Sequence, residues 1–161
     1  MDKITNLGAY DIQQYQQNRY PVFFVDRILE VVPGKSAKGY KNFTYNEWFF
    51  PAHFHNEPNA PGFIQIECLT QVFLMTFLTI PEYKGMKTGF VSLKNVRFWK
   101  KIVPGDRLEM EAELQSFKRG LAKGKITGCV DGEIACQAEM EIAIPEVMKA
   151  FRPRQRTNRQ E

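Results

Sequence analysis

Three residues within fifteen positions have the side chains needed for acid–base chemistry on a carbonyl compound: His53, Gly62 and Glu67. An imidazole can accept a proton near neutral pH, and a carboxyl group that is shielded from water can donate one. A glycine near the start of a helix offers its N–H to a carbonyl oxygen that gains negative charge. A base, an acid and an oxyanion donor together fit proton abstraction beside a carbonyl, followed by loss of a leaving group.

The segment after Pro61 predicts the helix that positions two of these residues. Residues 63–78 are apolar on almost every side, and a helix that is hydrophobic all round belongs in the interior of a protein. Pro61 suits the first helical position and Asn59 suits a cap, so we expect free amides near Gly62. Glu67 then lies about 7.5 Å further along the axis, where a charged carboxylate is costly unless a partner or a task holds it.

Each of these side chains also has a purely structural interpretation. His53 lies in a long aromatic loop, residues 44–58, and fits a hydrogen-bonded structural histidine. Glu67 fits a carboxylate that accepts hydrogen bonds from loop amides. His53 and His55 form an H-x-H pair, but no third histidine or suitably spaced cysteine completes a set of metal ligands, so we predict no metal site.

Two long stretches predict antiparallel strands around that helix. Apolar and polar residues alternate over 108–115 and 133–142, which is typical of strands with one solvated face. Asp131-Gly132 predicts a two-residue hairpin turn before the second stretch. With that turn, Cys129 and Cys136 are both expected to face the core as buried thiols.

Weaker patterns complete the predicted fold. Residues 9–17 indicate a short amphipathic helix, 22–43 a hairpin that turns at Pro33-Gly34, and 88–100 a further strand. Five or six antiparallel strands and one long apolar helix predict an α+β protein in which a curled sheet wraps around the helix. We expect a single domain over residues 1–148.

The basic excess of the chain lies at its C-terminus. The net charge of the 161 residues is +4, and residues 149–161 alone hold five Lys or Arg against one Glu. We therefore predict a neutral body followed by a flexible basic tail. Without a basic stripe or a reader motif in the body, nucleic acid is not an expected partner.

Further features indicate a cytoplasmic protein that is not inserted in a membrane. The first residues lack the basic and then apolar run of a signal peptide. Gln65, Glu67 and Gln71 interrupt the apolar helix, which therefore does not fit a membrane span. The three cysteines include no C-x-x-C pair, which argues against a disulfide framework.

Three stretches of the chain, residues 19–27, 53–71 and 102–108, resemble the β-hydroxyacyl-[acyl carrier protein] dehydratases of the FabZ type. The central motif of that family is G-H-F-P-x-x-P-x-M-P-G, followed by an apolar run to E-A-L-A-Q. The resemblance extends from about Gln17 to Ile144 and implies the hotdog fold, a sheet wrapped around one long helix. The motif residues that this chain keeps in register are His53, Phe54, Pro58, Pro61, Gly62, Glu67, Leu69 and Gln71.

The resemblance implies a role for each site residue. His53 would abstract the proton α to the thioester carbonyl, and Glu67 would donate a proton to the departing β-hydroxyl, which gives a trans-2-enoyl thioester and water. The Gly62 amide would polarise the carbonyl, Phe54 would contact substrate, and Gln71 would brace the loop or the acid. The resemblance implies no metal or redox cofactor. The substrate would be carried on the phosphopantetheine of acyl carrier protein.

The resemblance also implies partners. The site of the family is shared between subunits, so we expect at least a homodimer, with a trimer of dimers as the larger assembly. Acyl carrier protein is acidic, and a basic rim at the mouth of the site would favour its docking. Arg97, Lys100 and Lys101 are the candidates for that rim.

Several residues depart from the family pattern, and these departures affect which substrate is expected more than which reaction is expected. The acid, the base and the oxyanion donor are all retained, so the acyl chain and the pathway, fatty acid or polyketide-type biosynthesis, stay open. Two other functions also stay open: a hotdog acyl thioesterase and a non-catalytic hotdog partner of an active dehydratase. The departures are Asn18, Ala52, His55, Asn59, Ala60 and Gln65.

Overall fold

A computed structural model describes residues 1–151 of the chain. Lys149, where the predicted basic tail begins, is the last residue of a short helix. The predicted arginine-rich part of that tail, residues 152–161, lies outside the described residues. Within the described part no helix is long and apolar enough to cross a membrane.

Seven strands and three α-helices make up the described chain. In chain order they are β1 (Ile4–Gly8), α1 (Ala9–Ile12), β2 (Arg27–Val32), β3 (Ser36–Asn42), α2 (Gly62–Leu78), a 3₁₀ turn (Pro81–Tyr83), β4 (Gly89–Phe98), β5 (Arg107–Lys118), β6 (Leu121–Val130), β7 (Glu133–Ala143) and α3 (Pro145–Lys149).

All seven strands form one antiparallel sheet in the order β1-β2-β3-β5-β6-β7-β4. Helix α2 packs against β2, β3, β5, β6 and β7, and a single helix can touch so many strands only because the sheet curls around it. The predicted α+β fold, a curled antiparallel sheet around one long central helix, is therefore confirmed. Strands β1 and β4 are the two edges of this sheet.

Glycines in the sheet let the helix approach closely. A Cβ at Gly124 would lie 2.5 Å from the ring of Phe73, and one at Gly128 would lie 3.2 Å from Leu69 Cδ2. At Gly124 the same Cβ would also lie 2.2 Å from the backbone oxygen of Glu113, so glycine is required there for α2 to seat its apolar face on the sheet. At Gly128 a side chain would require the neighbouring side chains to shift.

The Asp131-Gly132 turn is confirmed, but the predicted burial of Cys129 is wrong. Asp131 and Gly132 have φ angles of 51° and 77°, as a primed two-residue turn requires. The ladder then shifts between Gly128 and Cys129, and Cys129 pairs with Ile134. The extra residue lies in β7, where Ala135 and Cys136 are both buried and Ile134 is 49% exposed. Strand β6 alternates regularly with Gly128 and Val130 buried, which leaves Cys129 on its outer face and only half-buried.

Three other expectations differ from the structure. The helix predicted over 9–17 covers only Ala9–Ile12, and strand β2 starts at Arg27 rather than at Val22. The amides of residues 24 and 25 donate to the Gln71 side chain instead of to a neighbouring strand. Strand β1, over Ile4–Gly8, has no counterpart in the prediction, because it is short and lacks a regular alternation.

Candidate active site

Glu67 lies half-buried on the second turn of α2. Its Oε1 accepts hydrogen bonds from Gln71 Nε2 and from Asn18 Nδ2, each at 2.9 Å. Burial raises the pKa of the Glu67 carboxyl above its ordinary value, and the hydrogen bond from Gln71 opposes part of that rise. A carboxyl group in this setting keeps its proton to higher pH than an exposed glutamate does, as a general acid requires.

Gln71 lies one turn further along α2 and is completely buried. Its Oε1 accepts from the backbone amides of Phe24 at 2.8 Å and Val25 at 3.4 Å. Its Nε2 donates to Val22 O at 2.7 Å as well as to Glu67. The sequence left open whether Gln71 contacts the loop or the acid, and the structure shows that it contacts both.

His53 lies in the loop between β3 and α2, half-buried beside the exposed ring of Phe54. The two ring centroids are 4.2 Å apart. His53 Nδ1 lies 2.9 Å from the backbone oxygen of Asn59. Because a carbonyl oxygen only accepts, Nδ1 must carry the hydrogen, and Nε2 keeps the lone pair with which a base takes a proton.

The loop that carries His53 is held at its base by aromatic packing and a buried ion pair. Phe43, Phe49 and Phe50 are each 1% exposed and contact one another edge to face or tilted. Beside them Lys41 Nζ lies 2.5 Å from Glu47 Oε1, and the Lys41 side chain is only 6% exposed. The sequence analysis did not single out this pair, because no local pattern shows that a lysine on a strand is buried.

The head of α2 has amides without acceptors, although Asn59 does not cap it as predicted. Asn59 Nδ2 donates to Glu57 O, and the first amides with backbone acceptors at this end are those of Ile64 and Gln65, which both bond to Pro61 O. Within residues 1–151 the amide of Gly62 therefore has no backbone partner. It is available to a carbonyl oxygen at the positive end of the helix dipole.

Gly62 and His53 line one cavity of about 260 Å³, which we call the base cavity. A Cβ at Gly62 would lie 3.0 Å from Phe98 Cζ, so the glycine keeps the passage between the helix and β4 open. Gln65, Lys100 and Lys101 also line this cavity.

Glu67 lines two other cavities, and Phe90 lines both of them as well. The apolar acid cavity has about 540 Å³ and includes Trp48 and Phe63. The polar acid cavity has about 430 Å³ and includes Asn18 and Lys87. His53 lines the base cavity but neither acid cavity, and Glu67 lines both acid cavities but not the base cavity, so the two side chains line separate cavities of one chain.

Of the predicted docking residues, Lys100 and Lys101 line the base cavity and are paired with acids, whereas Arg97 is not among its lining residues. Lys100 Nζ lies 3.0 Å from Glu133, which raises the pKa of Lys100. Lys101 pairs with Glu57 and holds the pKa of that carboxyl below its usual range. Arg97 has no carboxylate partner within residues 1–151 and donates to Val96 O.

The candidate metal pair has no further ligands around it. His55 is exposed, and residues 1–151 contain no group of three His, Cys, Asp or Glu side chains that could hold an ion.

Asn18 is the site residue whose contact the sequence analysis missed. The sequence singled it out only as a departure from the family pattern, and nothing local links it to a carboxylate 49 positions away. Its place directly before Arg19-Tyr20-Pro21, a stretch shared with the family, is the one feature that points to the site.

Comparisons with known proteins are consistent with this geometry. A family model described as a FabA-like domain matches residues 17–139. The chain is 45% identical over 139 residues to the 3-hydroxyacyl-[acyl-carrier-protein] dehydratase FabZ of Anoxybacillus flavithermus, a match covering 84% of this chain and 98% of that protein. It is 42% identical over 138 residues to the enzyme of the same name from Clostridium novyi, covering 86% and 97%.

Solved structures share the fold at low sequence identity. The dehydratase heterocomplex ApeI:P from Xenorhabdus doucetiae superposes with a TM-score of 0.73 at 11% identity, covering 88% of this chain and 97% of that one. The PaaI protein from the phenylacetic acid degradation operon of E. coli has a TM-score of 0.57 at 9% identity, covering 72% and 80%. At these identities the likeness concerns the fold alone.

Proposed function

The chain belongs to the FabA-like family as a FabZ-type 3-hydroxyacyl-[acyl-carrier-protein] dehydratase, and we propose that His53 and Glu67 perform its chemistry. It is a hydro-lyase of fatty acid biosynthesis with a hotdog fold. Two observations support the residue roles. Within residues 1–151, His53 Nε2 and the Gly62 amide have no hydrogen-bond partner, and both residues line the same cavity. Glu67 is a half-buried carboxyl group with a raised pKa.

In the first part of the reaction, His53 Nε2 takes the proton from the carbon α to the thioester carbonyl. The electron pair of that C–H bond moves toward the carbonyl and places negative charge on its oxygen. The Gly62 N–H donates to this oxygen at the head of α2, where the helix dipole adds to the stabilisation. Phe54 is proposed to contact the substrate beside the imidazole.

In the second part, the C–O bond to the β-hydroxyl breaks and the α–β double bond forms. Glu67 gives its proton to the departing oxygen, so that water leaves rather than hydroxide. The product is a trans-2-enoyl thioester, with the proton from the α-carbon on His53 and a carboxylate at Glu67. No step requires a metal or a redox cofactor.

We propose that the site is completed by a second copy of the chain through the free edge of β4. This edge carries exposed apolar side chains, with Phe90, Val91 and Phe98 each about half exposed, which favours pairing with another strand. The base cavity is lined by Phe98 and both acid cavities by Phe90. Antiparallel pairing of two β4 strands about Lys94 would set Phe98 of one copy opposite Phe90 of the other.

That dimer would bring His53 of one copy toward Glu67 of the other. It accounts for the separation of the two side chains within one chain and gives two equivalent sites per dimer.

A mixing experiment tests both the residue roles and the sharing. The variants His53→Ala and Glu67→Gln are each expected to be inactive in hydration of a trans-2-enoyl pantetheine thioester, the reverse of the dehydration. When equal amounts are unfolded and refolded together, half of the dimers are mixed, and each mixed dimer has one intact site. We therefore expect recovery of about a quarter of the wild-type turnover.

Failure to recover activity, although mixed dimers are present by native mass spectrometry, would reject the shared site. Release of free thiol without hydration by the wild-type protein would instead indicate a thioesterase.

The carrier protein is proposed to dock at the mouth of the base cavity through Arg97, Lys100 and Lys101. Arg97 is expected to contribute most, because Lys100 and Lys101 are already paired with Glu133 and Glu57. A carboxylate or phosphate on the partner would have to displace those internal acids.

A further inference from the structure

The two side-chain amides that contact Glu67 converge on one oxygen. Asn18 Nδ2 and Gln71 Nε2 both donate to Oε1, at 2.9 Å each. A carbonyl-type oxygen has two lone pairs, and both are occupied here. Oε2 has no hydrogen-bond partner among the described residues.

The orientation of the Gln71 amide is fixed by groups that cannot reverse their roles. The backbone N–H groups of Phe24 and Val25 can only donate, so the atom they meet is the Gln71 oxygen. Val22 O can only accept, so it meets the nitrogen. Gln71 must therefore present an N–H to Glu67, and Glu67 Oε1 must be an acceptor.

Asn18 is held in place by its own neighbours. The Arg19 guanidinium donates to the backbone oxygens of Gln13 at 2.9 Å, Gln16 at 2.8 Å and Asn18 at 2.7 Å. These contacts close the turn that follows α1 and fix the backbone from which the Asn18 amide reaches Glu67. Asn18 thus approaches a prearranged acceptor from a prearranged turn.

We infer that Asn18 is a positioning residue for the acid: with Gln71 it keeps Glu67 Oε1 as an acceptor, so that the transferred proton resides on Oε2. The carboxyl group is thereby oriented with its hydroxyl toward the acid cavities before substrate enters. This inference rests on the proposed role of Glu67 and adds to it the atom that carries the proton and the residue that selects it.

The hydrogen bond from Asn18 also affects the equilibrium between the protonated and ionised forms of Glu67. An N–H that donates to a carboxylate stabilises the ionised form, so loss of the Asn18 donor should raise the pKa of Glu67. The other ionisable groups near Glu67 are few. Cys68, the next residue of α2, has a buried thiol, and burial raises its pKa. Lys87 lines the polar acid cavity. Neither is changed in the test.

The test measures kcat and KM as functions of pH for the full-length protein and for Asn18→Ala and Asn18→Asp. For Asn18→Ala we expect kcat to fall about tenfold with little change in KM, as for loss of one hydrogen bond to a charged group. The alkaline limb of kcat should move to higher pH. Asn18→Asp should show a larger loss and a larger move in the same direction, because it replaces the donor with an anion.

Gln14→Ala is the matched control. It also removes an amide on the segment after α1, but Gln14 donates only to Tyr10 O at the surface. Its kcat and its alkaline limb should match those of the wild type. An alkaline limb for Asn18→Ala that stays in place, or moves to lower pH, would overturn the inference.

A second measurement separates this inference from the proposed function. The carboxyl carbon of Glu67, labelled with ¹³C and assigned by its absence in Glu67→Gln, can be titrated by NMR without any turnover. A higher pKa in Asn18→Ala than in the wild type supports the positioning role even if dehydration is never observed, and equal values refute it. Wild-type protein without dehydration activity would refute the proposed function alone.

Discussion

His53 lies in a loop and Glu67 lies on the central helix, and the two side chains are held by contacts of different range. The hydrogen bond of the imidazole joins residues six positions apart. The carboxyl group accepts from Asn18, 49 positions away, and from Gln71, whose own partners lie between residues 22 and 25. The proposed base is therefore oriented by its own loop, and the proposed acid by a segment that folds across the helix from elsewhere in the chain.

The surroundings also differ in charge. Lys100 and Lys101 line the base cavity. Glu67 instead lies among amides and apolar residues, and its burial there is the main cause of the raised pKa of its carboxyl group. Under the proposed function the two regions have different tasks: the loop region would receive the carrier-linked arm, and burial in the helix region lets Glu67 keep its proton to higher pH. Four predictions test this division, from the largest expected effect to the smallest.

The largest effect is expected from Glu67→Gln. The amide has nearly the same shape but cannot donate a carboxylic proton, so kcat should fall about a thousandfold, within the range typical of general acid catalysis. Turnover of a 3-hydroxyacyl pantetheine thioester measures it. Glu139→Gln, at an exposed position on β7, serves as the control and should keep wild-type turnover. A Glu67→Gln protein with unchanged turnover would contradict the assignment of the acid.

The second prediction concerns the base of the loop. Lys41→Met leaves Glu47 as an unpaired and largely buried carboxylate, which should cost about 3 kcal/mol in the free energy of unfolding. Chemical denaturation measures that loss. Lys38→Met is the matched control, because Lys38 pairs with Glu111 at the surface, where ion pairs contribute little.

If Lys41→Met destabilises the protein no more than Lys38→Met does, the ion pair does not anchor the loop. If it destabilises the protein and also lowers kcat in the folded fraction, the pair also positions His53.

The third prediction concerns the pH dependence of the wild-type enzyme. The proposed mechanism needs the protonated form of Glu67, and burial raises the pKa of that carboxyl above its ordinary value. Activity should therefore persist above the pH at which an exposed glutamate ionises and decline as the pH rises through the raised pKa. Measurement of kcat across pH checks this. An alkaline decline already complete near the ordinary carboxyl pKa would contradict a buried acid.

The smallest effect is expected at Arg97, the strand neighbour of Phe98, which lines the base cavity. Arg97→Ala should raise KM about threefold for a carrier-linked substrate, with kcat unchanged, because rim charges mainly affect association. The increase should diminish at high salt. A pantetheine thioester without the carrier protein is the control substrate, and its KM should be the same for both proteins. An equal rise for both substrates would exclude a role in carrier docking.

Local patterns in the sequence predicted a large part of this molecule. The apolar run after Pro61 predicted α2, and the alternation over 108–115 and 133–142 predicted β5 and β7. Asp131-Gly132 predicted the turn that enters β7 from β6. Each of these features depends on a period of two or 3.6 residues or on the φ angle of a turn residue, which neighbouring residues determine. The resemblance to the FabZ family supplied the hotdog fold and the residue roles, which periodicity alone does not give.

The failures occur where distant segments meet. The expectation that Cys129 faces the core with Cys136 assumes that the two-residue turn pairs the strands without interruption, and the extra residue in β7 breaks that correspondence. The segment before β2 leaves the ladder because Gln71 takes its amides. The periodicity of residues within a single segment predicts neither feature.

The sequence by itself determined the buried helix, the alternating strands and the presence of a base, an acid and a glycine amide, because these depend on side-chain type and short spacing. Only the tertiary structure decided which oxygen of Glu67 accepts the two amides and that His53 and Glu67 line separate cavities in one chain. Both depend on chain segments that are far apart in sequence and meet only when the sheet closes around the helix. Tertiary packing determines which donor and acceptor atoms of such distant segments meet, and therefore which hydrogen bonds form between them.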